Sequence, residues 1–299
     1  RMQRSSSLGS LRAIEDKEER DFQREQAIAL EMMEKLGLSM RDTELQLVHQ
    51  STSLATMHAN TIAAGDTDFV LRSGRVTFSE AEALRNHYEK HSGSGGVKPI
   101  SEATAGDLLD GFASAYLERY PSPVAEVPVP ADGRVVIVGD THGQLQDVLL
   151  IMRAQGPPSP KNVYIFNGDV ADRGDNACEI FFLVAAYFLA NPGSVVINRG
   201  NHEAEALNHL APEDGGGFYR EVCSKFGPAM YTRFVAMMKV LSLCDVVGGK
   251  IFVVHAGLSD VQPMTLDAIR KLDHTSLTVP ERADGQASKL WLDLMWSDP

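Results

Sequence analysis

The chain is poor in cysteine: three residues in 299, Cys178, Cys223 and Cys244, odd in number and without the paired spacing of a zinc site. That excludes a disulfide framework and a thiolate metal cage, and fits free thiols in a reducing compartment. No run approaches the roughly 20 apolar residues that a membrane-spanning helix needs. The longest apolar stretch, Ile180 to Ala190, reads as a core helix instead. Basic charge is scarce as well. The 28 Lys and Arg face 40 Asp and Glu, for a net charge of −12, which argues against a non-specific nucleic-acid partner. The polar, charged N-terminus does not read as a signal peptide. What is present, 43 % hydrophobic and 23 % charged residues, is ordinary globular composition.

Along the chain, residues 1–13 are rich in Ser and Arg and read as a disordered tail, followed by a charged helix over 14–36 stopped at Gly37. Residues 38–75 are weakly patterned. Thr77-Phe78-Ser79 with Glu82 reads as a capping box opening a helix to about Lys90, and Ser92–Gly96 as a flexible break. Ser101 caps a helix to about Tyr120, and the proline-rich 121–130 reads as a stiff linker. The expected organisation is therefore an N-terminal extension (1–75), a helical pre-domain with its linker (76–130) and a main domain (131–299).

From residue 134 short β-branched runs alternate with helical segments. Strands are expected over 134–139, 163–167, 194–198 and 250–254, with helices over about 145–155, 176–190, 217–226 and 228–241. The alternation predicts an α/β fold whose crossovers give a largely parallel sheet.

Each of the four strands ends in a polar cluster beside a glycine: Asp140 and His142, Asp169 with Asp172 and Arg173, Asn201 and His202, and His255. Parallel strands align their C-terminal ends, so these clusters converge on the rim where α/β folds place ligand sites. Carboxylate, amide oxygen and imidazole, without thiolate, suit Mn, Fe or Zn better than Ca. A carboxylate such as Asp169 can bridge two ions, which turn a shared water into hydroxide near neutral pH and polarise a phosphoryl oxygen. Arg173 offers a fork for phosphate oxygens, and Asn201 and His202 stand beside the same position. His202, oriented by Asp172, can protonate a leaving oxygen.

These motifs resemble those of the phosphoprotein phosphatases, the calcineurin-like Ser/Thr phosphatases. They are Gly139-Asp140-Thr141-His142-Gly143, Gly168-Asp169-Val170-Ala171-Asp172-Arg173-Gly174, Gly200-Asn201-His202-Glu203, His255-Ala256-Gly257-Leu258 and Trp296-Ser297-Asp298-Pro299. The similarity covers roughly 134–299 and leans toward the type-5 and EF-hand-carrying branches. Val170-Ala171 and Ala256 depart from the family pattern without removing a ligand.

The resemblance implies a central β-sandwich flanked by helices and holding two metal ions. One ion would take Asp140, His142 and Asp169, the other Asp169, Asn201 and His255. Arg173 would bind phosphate, with Asp172 and His202 as the acid pair. The implied reaction is in-line hydrolysis of phosphoserine and phosphothreonine in proteins by a metal-activated hydroxide, without a phosphoenzyme. A further histidine ligand and a second arginine follow the Trp-Ser-Asp-Pro signature in the family, so this chain is expected to be a segment of a longer protein, and His274 is a poor substitute for that histidine. The competing readings are a catalytically silent phosphoprotein-binding scaffold and a metallophosphoesterase acting on small phosphates. Expected partners are phosphoprotein substrates and a regulatory protein on the N-terminal helices, in the cytoplasm.

Overall fold

The computed structural model describes residues 76–91, 100–275 and 285–297. The tail, the charged helix over 14–36, the Ser92–Gly96 break and Asp298-Pro299 lie outside the described residues.

Helix α1 (Phe78–His91) begins at a capping box, but two residues earlier than the sequence reading had it. Glu80 Oε2 accepts from the Thr77 amide at 2.7 Å and Thr77 Oγ1 from the Glu80 amide at 3.2 Å. Glu82, the expected partner, instead pairs with Arg85 and accepts from the Tyr187 hydroxyl. Helix α2 (Glu102–Arg119) starts, as its sequence predicts, with Ser101 accepting from the Thr104 amide.

The proline-rich run after α2 is not a linker throughout. Val124–Val127 forms strand β1, and β2 follows at Arg134–Val138. Helix α3 (Leu145–Gln155), strand β3 (Asn162–Phe166), helix α4 (Ala177–Ala190) and strand β4 (Val195–Ile197) come next. One short turn of helix, α5 (Glu205–Asn208), leads to α6 (Phe218–Lys225) and α7 (Pro228–Lys239). Strands β5 (Cys244–Val247) and β6 (Ile251–Val254) precede α8 (Leu266–Arg270) and α9 (Gln286–Trp296).

The strands form two three-stranded sheets, β2-β3-β4 and β1-β5-β6. The first is parallel throughout. In the second β1 runs parallel to β5, but β6 runs antiparallel to it. The sequence reading of one largely parallel sheet is thus corrected. Gly248 and Gly249, with φ of 58° and 67°, supply the two left-handed residues that a tight hairpin between β5 and β6 requires. A single parallel bridge, Asn198 to Ser242, ties the end of β4 to the run entering β5.

Helix α4 is the hub of the helical layer, buried from Ala177 to Phe188 and packed by α1, α2, α3 and α6. Its apolar run is a core helix, and among the described residues no helix is long and apolar enough to cross a membrane. The N-terminus of α4 is held by a buried charge cluster. Glu221 on α6 accepts from the Ala177 and Cys178 amides at 3.2 and 2.9 Å, filling donors that a helix leaves orphaned. Lys225 Nζ binds Glu179 Oε2 at 2.6 Å, Glu221 Oε1 at 2.9 Å and the Asp175 carbonyl at 2.6 Å. Removing the one cation leaves two buried carboxylates facing each other, so Lys225→Met is expected to destabilise the fold by roughly 3–5 kcal/mol. Urea unfolding measures this. The exposed Lys161→Met is the control and should stay within about 0.5 kcal/mol.

Candidate metal and phosphate site

The polar clusters do converge. The ligand atoms of Asp140, Asp169 and His255 lie within 4.8 Å of one another, as do those of His142, Asp169 and His202. Asp169 belongs to both groups. The resemblance set Asp140 beside His142, whereas its carboxylate here groups with His255.

His255 arrives at this rim although β6 is not in the parallel sheet. Asn167, directly after β3, donates from Nδ2 to the Val254 carbonyl at 2.9 Å, and its own carbonyl faces His255 Nδ1 at 2.8 Å. The ends of β3 and β6 are therefore fastened across the two sheets.

Both histidines are presented in the same way. His142 Nδ1 lies 2.8 Å from the Ala171 carbonyl. A carbonyl can only accept, so Nδ1 carries the hydrogen in each ring and Nε2 offers a lone pair. His142 Nε2 is buried without a hydrogen-bond partner and faces Asp169 Oδ2 at 3.5 Å. His255 Nε2 faces Asp169 Oδ1 at 3.4 Å and Asn201 Oδ1 at 3.0 Å. The Asn201 amide oxygen thus looks at acceptors alone. Swapping its amide would instead let nitrogen donate to Asp169 Oδ1 and Oδ2 at 3.2 and 3.3 Å and to His255 Nε2 at 3.0 Å. Lone pairs turned on one another in a buried place are what a bound cation resolves, and backbone carbonyls on the far ring nitrogens are the usual outer support of metal-binding histidines. Asp140, His142, Asp169, Asn201 and His255 therefore fit transition-metal binding. Burial pushes the His142 pKa down, which keeps its Nε2 available as a donor of electrons.

Beside this set stand the remaining expected residues. His202 Nδ1 is 2.9 Å from Oδ2 of the fully buried Asp172. Asp172 is itself pinned by the Asn208 side chain and by the Phe218 amide, both at 2.9 Å. Arg173 Nη2 is 3.3 Å from His202 Nε2. Burial alone would lower the His202 pKa, but the Asp172 hydrogen bond and the charges of Asp169 and Asp172 outweigh it, and the net direction is upward.

The loops that hold these groups are bent hard. His142, Asp169, Asp172 and Arg173 all have positive φ, between 38° and 68°, a conformation that costs on the order of 1–3 kcal/mol per non-glycine residue. Glu203 is the brace that sequence reasoning missed. Its buried carboxylate accepts from the amides of Asp169, Val170, Ala171 and Gly200 at 2.8 to 3.1 Å. Its place directly after Asn201-His202 was the available signal. Gly200 is required for the same packing, because a Cβ there would overlap Asp169 Oδ1. Asn208 was also missed, being the last residue of a short helical turn. The end of α9 supports the His255 loop, with the Ala256 amide donating to the Leu294 carbonyl at 3.2 Å. His274 joins neither ligand group. It is buried, and its carbonyl faces Arg199 Nη1 at 3.5 Å.

Serine/threonine-protein phosphatase T of Schizosaccharomyces pombe is 40 % identical over 183 residues, covering 61 % of this chain and 36 % of the relative. Human serine/threonine-protein phosphatase 5 is 34 % identical over 229 residues, 77 % of this chain and 42 % of its own length. The chain spans about a third of the length of the first curated relatives it matches. A solved Saccharomyces cerevisiae protein serine/threonine phosphatase, described as similar to human phosphatase PP5, superposes with a TM-score of 0.64 at 26 % identity, over 73 % of this chain and 65 % of that one. The pattern of the calcineurin-like phosphoesterases matches residues 133–299, more than half of the chain, and on that match the chain belongs to the calcineurin-like phosphoesterase family.

Proposed function

We propose that the protein hydrolyses phosphoserine and phosphothreonine in phosphoproteins. The observation that carries this is the convergence of Asp140, His142, Asp169, Asn201 and His255 on one place beside Arg173 and the His202–Asp172 pair. The names of the relatives support a protein substrate. When bound, two ions of Mn, Fe or Zn supply Lewis-acid polarisation of a phosphoryl oxygen and a lowered water pKa.

The chain's own residues do the rest. Arg173 binds phosphate oxygens through its planar fork. In its present position it donates to His202 Nε2, which a guanidinium can do only while that nitrogen lacks a proton. A phosphate that draws Arg173 away frees Nε2 to hold a proton for the leaving serine or threonine oxygen. Asp172 keeps the ring oriented and favours its charged form, and Asn208 and the Phe218 amide keep Asp172 in place.

The test is turnover of a phosphopeptide and of a dinucleotide by the full-length protein, with Mn²⁺ and after chelation. Phosphopeptide hydrolysis that needs Mn²⁺ is the expected result. Preference for the dinucleotide would favour a small-phosphate esterase, phosphopeptide binding without turnover would favour a silent scaffold, and turnover surviving complete metal removal would exclude the metal-assisted reaction.

A further inference from the structure

Behind the His255 loop, at the seam of the two sheets, lies a group of buried polar atoms with no use in the reaction above. Asp245 sits on β5 and Asn198 just beyond β4, both fully buried. Neither carboxyl oxygen of Asp245 has a hydrogen-bond partner, and neither does Asn198 Oδ1. The Asn198 amide is the one side chain turned to donate toward Asp245, and it is already bonded to Asn167 Oδ1 at 2.9 Å.

The neighbouring donors are already committed. Tyr116, near the end of α2, donates to the Ile197 carbonyl at 2.9 Å, and Ser242 Oγ lies 3.2 Å from the same hydroxyl. Asn167 must turn Nδ2 to the Val254 carbonyl, so its Oδ1 faces Asn198 Nδ2, at 2.9 Å. The groups whose charge state Asp245 influences are Tyr116 and Tyr120 from α2 and its cap and Cys244 on its own strand, and all three are neutral near pH 7. Among the described residues no cation bears on Asp245. Three buried acceptors therefore have no completed hydrogen bond, the arrangement that burial penalises most when one of them is charged. A single proton removes the charge and supplies the missing donor.

We propose that Asp245 holds a proton at neutral pH and that the resulting neutral chain Asp245–Asn198–Asn167 is a positioning device for His255. The last link is the Asn167 carbonyl on His255 Nδ1 at 2.8 Å, which selects the tautomer and aims Nε2 at Asp169 and Asn201. Asp245 touches neither substrate nor ion and acts through two asparagines. Burial, which pushes its carboxyl up to about 8, agrees with this assignment. The inference rests on His255 being a metal ligand.

Two measurements on the full chain test it, both without substrate. In the infrared difference between wild type and Asp245→Asn at neutral pH, a protonated-carboxyl C=O band is expected, fading as pH rises through about 8. A carboxylate signal below neutral pH overturns the proposal, whatever the fate of other variants. In Mn²⁺ titrations, Asp245→Asn should stay within about twofold of wild type, because its amide is neutral and can also donate. Asp245→Ala should weaken the looser-bound Mn²⁺ by roughly 10–100-fold, the usual cost of losing outer support of a ligand. A folded Ala variant with wild-type Mn²⁺ binding overturns the relay, and a wild type that binds no Mn²⁺ overturns it together with the metal reading. A wild type that binds Mn²⁺ but does not turn over phosphopeptide in the separate assay sinks the phosphatase reading and leaves this one standing.

Discussion

Asp169→Asn is expected to empty both metal positions at once and to lower phosphopeptide turnover by about 10³-fold or more. Asp169 is the one carboxylate shared by the two ligand groups, with Oδ2 toward His142 and Oδ1 toward His255. Its Oδ1 also accepts from the His202 amide at 3.0 Å, so the same side chain fixes the start of the acid loop. An amide in its place halves the acceptor capacity and removes the negative charge that the two proposed ions would share. Lewis-acid stabilisation is worth several kcal/mol, and each ~1.4 kcal/mol is a decade in rate. Elemental analysis of the purified protein, paired with turnover, decides the matter. The expected result is less than one ion per chain, with the exposed Asp147→Asn retaining the wild-type count. A variant that keeps two ions and its rate would mean that the bridging ligand lies elsewhere.

That prediction could be framed from sequence alone, because the site's chemistry sits at the ends of apolar runs. Val135–Val138, Val163–Phe166 and Val195–Ile197 are β-branched and aromatic segments, buried or half-buried but for the exposed Ile137, each followed by a glycine, and both their type and their mutual alignment follow from pattern. The fourth run was read correctly as a strand and wrongly as a member of the same sheet. The reversal is written in Val247-Gly248-Gly249-Lys250, where two adjacent left-handed glycines make a hairpin, yet β5 before it is only four residues long. Strand β1 was hidden for a related reason. Val124–Val127 is four residues flanked by prolines, a composition that reads as a linker. Proline is tolerated there because β1 is an edge strand, bonded on one side to β5.

The supporting shell was the least legible part. The proposed ligands declare themselves by type and spacing, but Glu203, Asn208 and Asn167 act through bonds to residues up to 88 positions away. Nothing in local pattern separates an asparagine that fastens two sheets from one that decorates a turn. Asp245 is the extreme case, since a charged residue inside a β-branched run reads as the solvent face of a strand, whereas the second sheet buries it completely.

The proposed acid pair gives the second large effect. His202→Asn is expected to reduce turnover by roughly 10²-fold or more while leaving metal content unchanged. The substitution preserves the bond from the residue 202 backbone amide to Asp169 Oδ1, and it keeps a planar polar group where the His202 ring stands against His142. Loss of metal in this variant would make His202 a ligand rather than an acid. Asp172→Asn separates position from charge. The amide can still meet the ring, but the hydrogen bond and charge that hold the His202 pKa up are lost, so the protonated form survives over a narrower range. The basic limb of the kcat profile should then move to lower pH. The same shift carries a stability consequence of definite sign. A histidine raised in the folded state contributes stability that is fully present below its unfolded pKa of about 6.5 and is lost as pH rises through the folded value. Wild type should therefore lose stability across that window relative to Asp172→Asn, even though the variant is less stable overall for want of a charged partner to the Phe218 amide and the Asn208 side chain. Unfolding midpoints measured at several pH values, beside the kcat profile, test both limbs. A basic limb unmoved by Asp172→Asn would mean that a group other than His202 delivers the proton.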